Sequence, residues 1–206
     1  VLASASYDQT VRLWVIDQEK EKLVLVGHVG SVFGLDLTPD GRYLVSASKN
    51  IIKAWDTTSN LSWRTFRNHE DLVYDVSVTR DGRWVVSGSF DKTVRIYDLQ
   101  EGVDVQICHG HSGRVGAITT TPNSQYAISA SGDATIRFWH LPDGQPGHCL
   151  KGHGGEILSV DVSPNGQWLI SGAEDKTVRV WDVHSGELVQ VLKGHAGSIT
   201  SVSFAR

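Results

Sequence analysis

The amino-acid sequence predicts an all-β protein built from a repeated, four-stranded antiparallel sheet. The chain holds 21 glycines among 206 residues and is rich in valine, isoleucine, serine and threonine, which favours short strands and tight turns. No window sustains the i, i+3, i+4, i+7 apolar spacing of an amphipathic helix. A histidine recurs at steps of 41 or 42 residues, and such a period indicates a repeat architecture. These histidines are His28, His69, His111, His153 and His195.

Each repeat contains four short apolar runs that are separated by turn signals. The segments TPDGR at 38–42 and SPNGQ at 163–167 carry the proline, asparagine, aspartate and glycine of hairpin loops. The third run of each repeat ends on an aromatic residue. We therefore predict four strands per repeat, with this aromatic at the end of the third strand. The aromatic residues are Trp14, Trp55, Tyr97, Trp139 and Trp181.

The predicted strands carry apolar residues on both faces. WLISGA at 168–173 and TVRVW at 177–181 illustrate this pattern, which is typical of a sheet that is covered on both sides. Four-stranded sheets stacked radially, each between two neighbours, satisfy this requirement and protect their edges. The sequence thus predicts a β-propeller.

The sequence resembles the WD-repeat family of β-propellers. Five repeats agree in register, whereas a single motif would carry little weight. The resemblance implies one propeller domain over residues 1–206, with repeats at about 1–27 (partial), 28–68, 69–110, 111–152, 153–194 and 195–206 (partial). The motifs that carry the resemblance are the Gly-His pairs at 27–28, 110–111, 152–153 and 194–195 and the Trp-Asp pairs at 55–56 and 181–182.

The resemblance also implies a role for the repeated histidine. It joins a buried hydrogen-bond network with a strand serine, a turn aspartate and the aromatic of the third strand. An indole N–H only donates, a carboxylate only accepts and a hydroxyl does both, so these groups can satisfy one another inside a sheet. The implied sets are His69, Ser87, Asp91 and Tyr97; His111, Ser129, Asp133 and Trp139; His153, Ser171, Asp175 and Trp181; and His195, Ser4, Asp8 and Trp14.

Two repeats depart from this pattern. Tyr97 replaces the tryptophan, so its hydroxyl donor lies at a different distance from the backbone than an indole N–H does. The segment SASKNIIKAW at 46–55 is one residue short and has no aspartate, for which Asn50 is a weak substitute. We expect the sheet of His28 to be the least rigid of the set.

The fifth four-stranded blade is divided between the two ends of the sequence. The C-terminal GHAGSITSVSFAR supplies an innermost strand, and residues 1–27 supply the other three. Either the ends join and close a five-bladed ring, or the repeats belong to a larger, seven-bladed ring. The sequence has no methionine, which favours a piece of a longer protein. An open arc would expose two apolar faces, and we then expect self-association.

Several classes of protein are disfavoured. The net charge is −4 without a basic stripe, so we expect no nucleic-acid partner. We expect neither a membrane span nor a signal peptide, because no apolar run has the required length and context. Two cysteines are too few for a disulfide framework. We therefore predict an intracellular protein, cytoplasmic or nuclear, with free and at least half-buried thiols at Cys108 and Cys149.

No catalytic motif stands out. Neither a Gly-x-Ser-x-Gly turn nor a phosphate-binding Gly-x-x-x-x-Gly-Lys occurs, and CHGH at 108–111 lacks a four-ligand metal spacing. We predict no catalytic residue, metal or cofactor. The predicted function is a non-catalytic scaffold that binds a protein or peptide, as a module of a larger signalling or regulatory protein. The alternative is an enzyme or ligand site on a propeller frame, since fold does not fix function.

The resemblance places partner binding on the face that rims the central channel. Two positions per repeat lie there: the fifth residue after each histidine and the residue before the turn aspartate. Aromatic faces beside a carboxylate suit an arginine or lysine of a partner. Alternatively, Phe33 and Tyr74 only fill the channel. The glycines Gly116 and Gly132 offer little to bind. The predicted partner-binding residues are Phe33, Tyr74, Phe90, Asp71, Tyr7 and Leu158.

Overall fold

The computed structural model describes residues 2–15, 20–59 and 61–205. These residues form five antiparallel sheets and no helix, which confirms the predicted all-β class. The first sheet holds β1 (Leu2–Ala5), β2 (Val11–Val15) and β3 (Lys20–Leu25), and the second β4 (Val32–Leu37), β5 (Tyr43–Ser48), β6 (Ile51–Asp56) and β7 (Ser62–Phe66). The third sheet holds β8 (Val73–Val78), β9 (Trp84–Ser89), β10 (Val94–Asp98) and β11 (Val103–Cys108). The fourth holds β12 (Val115–Thr120), β13 (Tyr126–Ser131), β14 (Thr135–His140) and β15 (Pro146–Lys151), and the fifth β16 (Ile157–Val162), β17 (Trp168–Ala173), β18 (Val178–Asp182) and β19 (Leu188–Leu192).

The turn signals build the first hairpin of each sheet. In the second sheet, the amide of Gly41 donates to the carbonyl of Thr38 over 2.7 Å, and Gly41 adopts a φ of +68°. The carboxylate of Asp40 accepts from the amide of Arg42 over 3.0 Å, which closes the turn. Threonine or serine followed two residues later by aspartate or asparagine repeats this arrangement in the third to fifth sheets. Local side-chain hydrogen bonds therefore set the register of β4–β5 and its equivalents.

The hydrophobic core consists of one apolar cluster between each pair of consecutive sheets. Between the third and fourth sheets, for example, Val86 and Ile96 pack against Val115 and Trp139. Strands β9 and β10 are buried along their whole length because both faces of their sheet are covered. In contrast, four of the five residues of β18 are only half-buried, and Trp181 alone is buried in this strand of the last sheet. The sheets thus stack in chain order, with β4, β8, β12 and β16 innermost and side by side.

Close approach of neighbouring sheets requires a glycine in the second strand. A Cβ on Gly88 of β9 would lie 2.6 Å from Val115 Cγ1 and 2.9 Å from Ile118 Cγ1. A Cβ on Gly172 of β17 would likewise lie 2.9 Å from Ile199 Cβ and 3.0 Å from Val202 Cγ1. The C-terminal segment therefore packs on the fifth sheet as β12 packs on the third.

The two ends of the chain do not join, so of the two alternatives the structure fits part of a larger ring and not a closed five-bladed one. The C-terminal segment instead bonds to the fifth sheet: Ile199 N donates to Ala173 O over 3.0 Å, and Phe204 N donates to Asp161 Oδ2 over 2.8 Å. Among the described residues, β1 pairs only with β2, and the first sheet has three strands. Each end is held by its own neighbouring sheet, which leaves the arc open. The described residues include no helix long and apolar enough to cross a membrane.

We expect the purified chain to self-associate at micromolar concentration. The edge of β1 lacks a neighbouring strand among the described residues, and Leu188, Val189 and Leu192 of β19 are 43%, 53% and 45% exposed. Exposed strand edges and apolar patches are sites of association. Light scattering should show a mass above that of the monomer that rises with concentration. Replacing Val189 and Leu192 together by lysine should lower that mass. A wild-type chain that stays monomeric at every concentration would contradict this prediction.

Candidate functional site

The repeated histidines of the third, fourth and fifth sheets lie in continuous hydrogen-bond networks. In the fifth sheet, Trp181 Nε1 donates to Ser171 Oγ over 2.9 Å, and Ser171 Oγ lies 2.8 Å from His153 Nε2. His153 Nδ1 lies 2.8 Å from Asp175 Oδ2 and donates to it, because a carboxylate only accepts. The proton of the neutral imidazole is thereby placed on Nδ1. The equivalent contacts recur in the other two sheets. His111 lies 2.8 Å from Ser129 Oγ and 2.9 Å from Asp133 Oδ2. His69 lies 2.7 Å from both Ser87 Oγ and Asp91 Oδ2.

The turn aspartate is the most heavily hydrogen-bonded member of each network. Asp133 accepts from the hydroxyl of Thr135 over 2.7 Å and from the amide of Ser112 over 2.9 Å, in addition to His111. Burial alone would raise the pKa of Asp133, but these hydrogen bonds outweigh it and lower that pKa to about 2. Burial would also raise the pKa of Asp91 and of Asp175, but hydrogen bonds outweigh it and lower both values. Burial lowers the pKa of His111 and of His153, although their aspartate partners act to raise it.

The third sheet carries an incomplete version of this network. The hydroxyl of Tyr97 is buried and makes no hydrogen bond of regular geometry among the described residues, although Ser87 is close enough to lower the pKa of the phenol against the effect of burial. The ring packs against Phe66 with centroids 4.6 Å apart, and burial raises the pKa of the Tyr97 phenol. Tyrosine therefore fills the space of the tryptophan without replacing its hydrogen bond.

The second sheet has the shortest of the histidine networks. His28 Nε2 lies 2.7 Å from Ser46 Oγ, which also accepts from Trp55 Nε1 over 2.8 Å. Because the turn is one residue short, no carboxylate faces His28 within the described part of the chain, and Asn50 is exposed and makes no bond to the ring. Burial and then the charge of Lys53 lower the pKa of His28 to about 4.

The set expected around His195 does not form, so that expectation is wrong. Trp14 Nε1 donates to Ser4 Oγ over 2.9 Å, but Asp8 is exposed and accepts from Thr10 over 2.7 Å instead. His195 is exposed and lies at the opposite end of the arc, beside the fifth sheet. A histidine can complete this network only if the strand that follows it pairs with β1. The segment after His195 does not, because the two ends of the chain are apart.

Asp175→Ala should lower the free energy of unfolding by about 1–3 kcal/mol, because it leaves the buried His153 Nδ1 and the amide of Gly154 without an acceptor. Asn50→Ala should change it little, since Asn50 is exposed. Urea unfolding followed by tryptophan fluorescence would measure both. Equal losses in the two variants would contradict the assignment of the networks.

The pKa of His28 predicts a loss of stability in mild acid. Above pH 6.5 the ring is neutral in both the folded and the unfolded chain, so its contribution is complete. As pH falls from 6.5 to about 4, only the unfolded chain gains the proton, and the free energy of unfolding falls. The lowered pKa values of His111 and His153 add a change of the same sign. In His28→Gln, the free energy of unfolding, measured by urea unfolding at each pH, should decline less steeply over this interval. A pH profile parallel to that of the wild type would contradict the lowered pKa of His28.

Four aromatic rings form a continuous row along the rim, and we call this set the aromatic row: Tyr7, Phe33, Tyr74 and Phe90. Phe33 and Tyr74 stack with centroids 5.3 Å apart and planes at 20°, and Tyr74 and Phe90 stack at 5.7 Å and 16°. Tyr7 meets Phe33 edge-on at 5.8 Å. The row spans the first three sheets, and Tyr7 and Tyr74 are 80% and 42% exposed. The structure thus brings together the four aromatic residues that the repeat positions indicated.

The row ends in an ion pair that the sequence analysis missed. Arg114 places its Cζ 4.9 Å from the ring centroid of Phe90. Its Nε and Nη2 donate to Glu156 Oε1 and Oε2 over 2.6 and 2.7 Å. The available signal was the occurrence of opposite charges at equivalent positions, 42 residues apart, in consecutive repeats.

The pair lies over the two rim glycines of the fourth sheet. A Cβ on Gly132 would lie 3.4 Å from Arg114 Cγ and 3.5 Å from Glu156 Cδ. The glycines themselves add no side chain to this part of the rim, and the long side chains of Arg114 and Glu156 lie in the space next to Gly132. Next to the pair is a groove of about 250 Å³, whose lining includes Tyr74, Phe90, Leu158 and Thr200.

Asp71 and Leu158, the other predicted partner-binding residues, lie differently. Leu158 lines the groove beside Tyr74. Asp71 is exposed, and its carboxylate accepts from the amide of Leu72 over 2.7 Å rather than lining the groove. The carboxylate that lines the groove together with Tyr74 and Phe90 is that of Glu156.

A second group of carboxylates connects the innermost strands. Asp36 Oδ2 accepts from Val78 N of the next sheet, and Asp75 Oδ2 accepts from Ile118 N of the sheet after it, each over 2.8 Å. Burial raises the pKa of Asp75 to about 7, with the charge of Asp36 acting in the same direction. These carboxylates bond to backbone amides across sheet boundaries, so they act as connections between sheets. The sequence signal was an aspartate within the innermost strands, which was not interpreted.

Metal ligands and thiols are sparse in the described part of the chain. No group of three or more histidine, cysteine, aspartate or glutamate side chains there could hold a metal ion. Cys108 is buried, and burial raises the pKa of its thiol to about 12. Cys149, on strand β15, is exposed, contrary to the expectation of an at least half-buried thiol.

The chain belongs to the WD40 family of repeat proteins. The family model described as "WD domain, G-beta repeat" matches residues 19–56, 62–98, 102–140 and 144–182, which confirms the resemblance noted from the Gly-His and Trp-Asp pairs. Among curated proteins, the chain is similar to the target of rapamycin complex subunit LST8-1 of Arabidopsis thaliana, with 35% identity over 102 residues, 48% of this chain and 33% of that protein. It is also similar to the nuclear distribution protein PAC1 of Arthroderma benhamiae, with 34% identity over 109 residues, 48% of this chain and 24% of that protein. A third relative is the small ribosomal subunit protein RACK1 of Caenorhabditis elegans, with 30% identity over 102 residues, 50% of this chain and 26% of that protein. The chain thus covers a third or less of the length of these relatives.

Proposed function

We propose that this chain is a non-catalytic WD-repeat scaffold that binds a protein or peptide across the aromatic row. The observation that carries the proposal is the row itself: four rings from three sheets meet at one rim, and two of them are 80% and 42% exposed. Aromatic side chains supply large contact areas and dominate binding hot spots. The exposure of Tyr7 and Tyr74 leaves both side chains accessible to a partner.

The names of the relatives support a role in assemblies. LST8-1 is named as a complex subunit, and RACK1 as a ribosomal subunit protein. By analogy with them, we place this chain in a multiprotein complex of the cytoplasm or nucleus, as a single propeller domain over residues 1–206. That assignment rests on sequence similarity to these relatives, whereas the proposed location of the binding surface rests on the geometry of the rim.

The charge of the rim favours a partner with a basic side chain. Glu156 and Glu174 flank the end of the aromatic row, and the whole chain has a net charge of −4. Ring faces attract cations through their quadrupole, and a nearby carboxylate adds a charge-assisted hydrogen bond. The buried carboxylates Asp36 and Asp75 already bond to backbone amides, which supports a structural role for them rather than an active site.

Tyr74→Ala should weaken a partner peptide roughly two- to thirty-fold, the effect of losing a ring that faces a cation. Peptides would be selected from a random display library on the wild-type chain, and their affinities measured by fluorescence anisotropy. Loss of Tyr74 should leave the fold intact because its ring is 42% exposed. The selected peptides should be enriched in arginine or lysine.

Val103→Ala is the matched control, since Val103 is 51% exposed on the same sheet but on its outermost strand. Thr200 would be a poor control, because it lines the groove beside Tyr74. If the selected peptides bind both variants with wild-type affinity, the aromatic row is not the binding surface and the proposal fails.

A further inference from the structure

Arg114 occupies a site that is suited to a guanidinium group. Its planar group lies against the ring of Phe90 at 4.9 Å and is bound by both oxygens of Glu156 at 2.6 and 2.7 Å. An aromatic face on one side and a bidentate carboxylate at the edge are the two features that distinguish arginine recognition from lysine recognition. The walls of this site come from the third and fifth sheets, whereas Arg114 comes from the fourth.

The walls of the site are better fixed than the arginine that fills it. The Glu156 side chain is only 14% exposed, whereas the Arg114 side chain is 46% exposed. Phe90 is held in the row by its stacking on Tyr74 at 5.7 Å. Below Arg114 lies Gly132, which offers no side chain to hold it. Arg114 is thus the more exposed member of the pair and belongs to none of the core clusters, so it can leave toward solvent without disturbing them.

The surrounding charge also suits a cation beyond the single ion pair. The pKa of Arg114 is raised first by its hydrogen bonds to Glu156 and further by the charge of Glu174. Two carboxylates thus act on one guanidinium at this end of the row. The equivalent positions in the other repeats carry Ser31, Leu72, Glu156 and Ser198, so the arginine is particular to the fourth repeat.

We propose that the recess between Phe90 and Glu156 is an arginine-binding site, that Arg114 occupies it in the free protein, and that an arginine of the partner displaces Arg114 when it binds. The inference rests on the proposed function and specifies the chemistry of its partner. The exchange replaces one guanidinium by another, so the contacts to Phe90 and Glu156 are conserved while Arg114 moves into solvent. Selectivity for arginine over lysine follows, because an ammonium group cannot match both oxygens and the ring together.

The test measures binding of Nα-acetyl-arginine methylamide by isothermal titration calorimetry. Arg114→Ala vacates the recess, and it should bind this probe at least about ten-fold more tightly than the wild-type chain, as expected when a bidentate, charge-assisted contact becomes available. The corresponding lysine and citrulline derivatives should bind Arg114→Ala more weakly than the arginine derivative. Adding Glu156→Gln to Arg114→Ala should abolish the gain. Thermal unfolding of each variant verifies that it is folded.

Arg83→Ala is the control for removal of an arginine from an aromatic ring. Arg83 lies 4.3 Å from the ring of Trp84 and 3.3 Å from Asp98, but that carboxylate already accepts from the amides of Gln100 and Glu101. Its removal should create no arginine site. Equal binding of the probe to Arg114→Ala and the wild type, or equal binding of citrulline and arginine, would overturn the proposal.

The outcome is independent of the test of the proposed function. If Arg114→Ala fails to bind the arginine probe while library peptides still require Tyr74, the arginine site is wrong and the scaffold proposal stands. If Arg114→Ala binds the probe but no library peptide requires Tyr74, the recess is an arginine site and the aromatic row is not the partner surface.

Discussion

A sheet with neighbours on both sides buries polar groups that need hydrogen-bond partners. The network around the repeated histidine supplies these partners in full where tryptophan and the turn aspartate are both joined to it, but among the described residues it leaves the Tyr97 hydroxyl of the third sheet without one. In the fourth and fifth sheets it runs from the indole of the third strand through a serine and the imidazole to the turn aspartate. The network connects the loop before a sheet to its second strand, its second turn and its third strand. Because the imidazole is held on both ring nitrogens, by the serine and by the aspartate, the network fixes the position of the loop that carries the histidine.

The same constraint explains how consecutive sheets hold together. Apolar clusters fill the space between them, glycines such as Gly88 permit the close approach, and Asp36 and Asp75 satisfy backbone amides of the next sheet. The rim residues are therefore carried on sheets with fixed mutual spacing. Stacking of Phe33 on Tyr74 across a sheet boundary depends on that spacing, so the aromatic row is a product of the packing beneath it.

Features that recur at the same position of several repeats could be predicted from the sequence, and features that occur in one pair of repeats or that involve backbone groups could not. The four-stranded sheets, the partners of His153 and the alignment of Phe33 with Tyr74 all follow from residues at one period. Arg114 and Glu156 were missed because each is unremarkable within its own repeat, and only the packing brings them together. The network expected around His195 failed because it depends on closure of the arc, which no local pattern determines. Asp75 was missed because its partner is an amide of another sheet, and backbone groups leave no sequence signal.

The one-residue deletion in the second sheet has a consequence for binding. It deprives His28 of a carboxylate, so this sheet has the shortest histidine network, yet Phe33 in the middle of the aromatic row belongs to it. A ligand that rests on Phe33 and its two neighbours bridges the second sheet to the first and the third. Binding to the folded arrangement alone adds a concentration-dependent term to its stability. On the proposed binding mode, occupancy of the rim would therefore be thermodynamically linked to the stability of the second sheet, whose histidine has no aspartate partner within the described part of the chain.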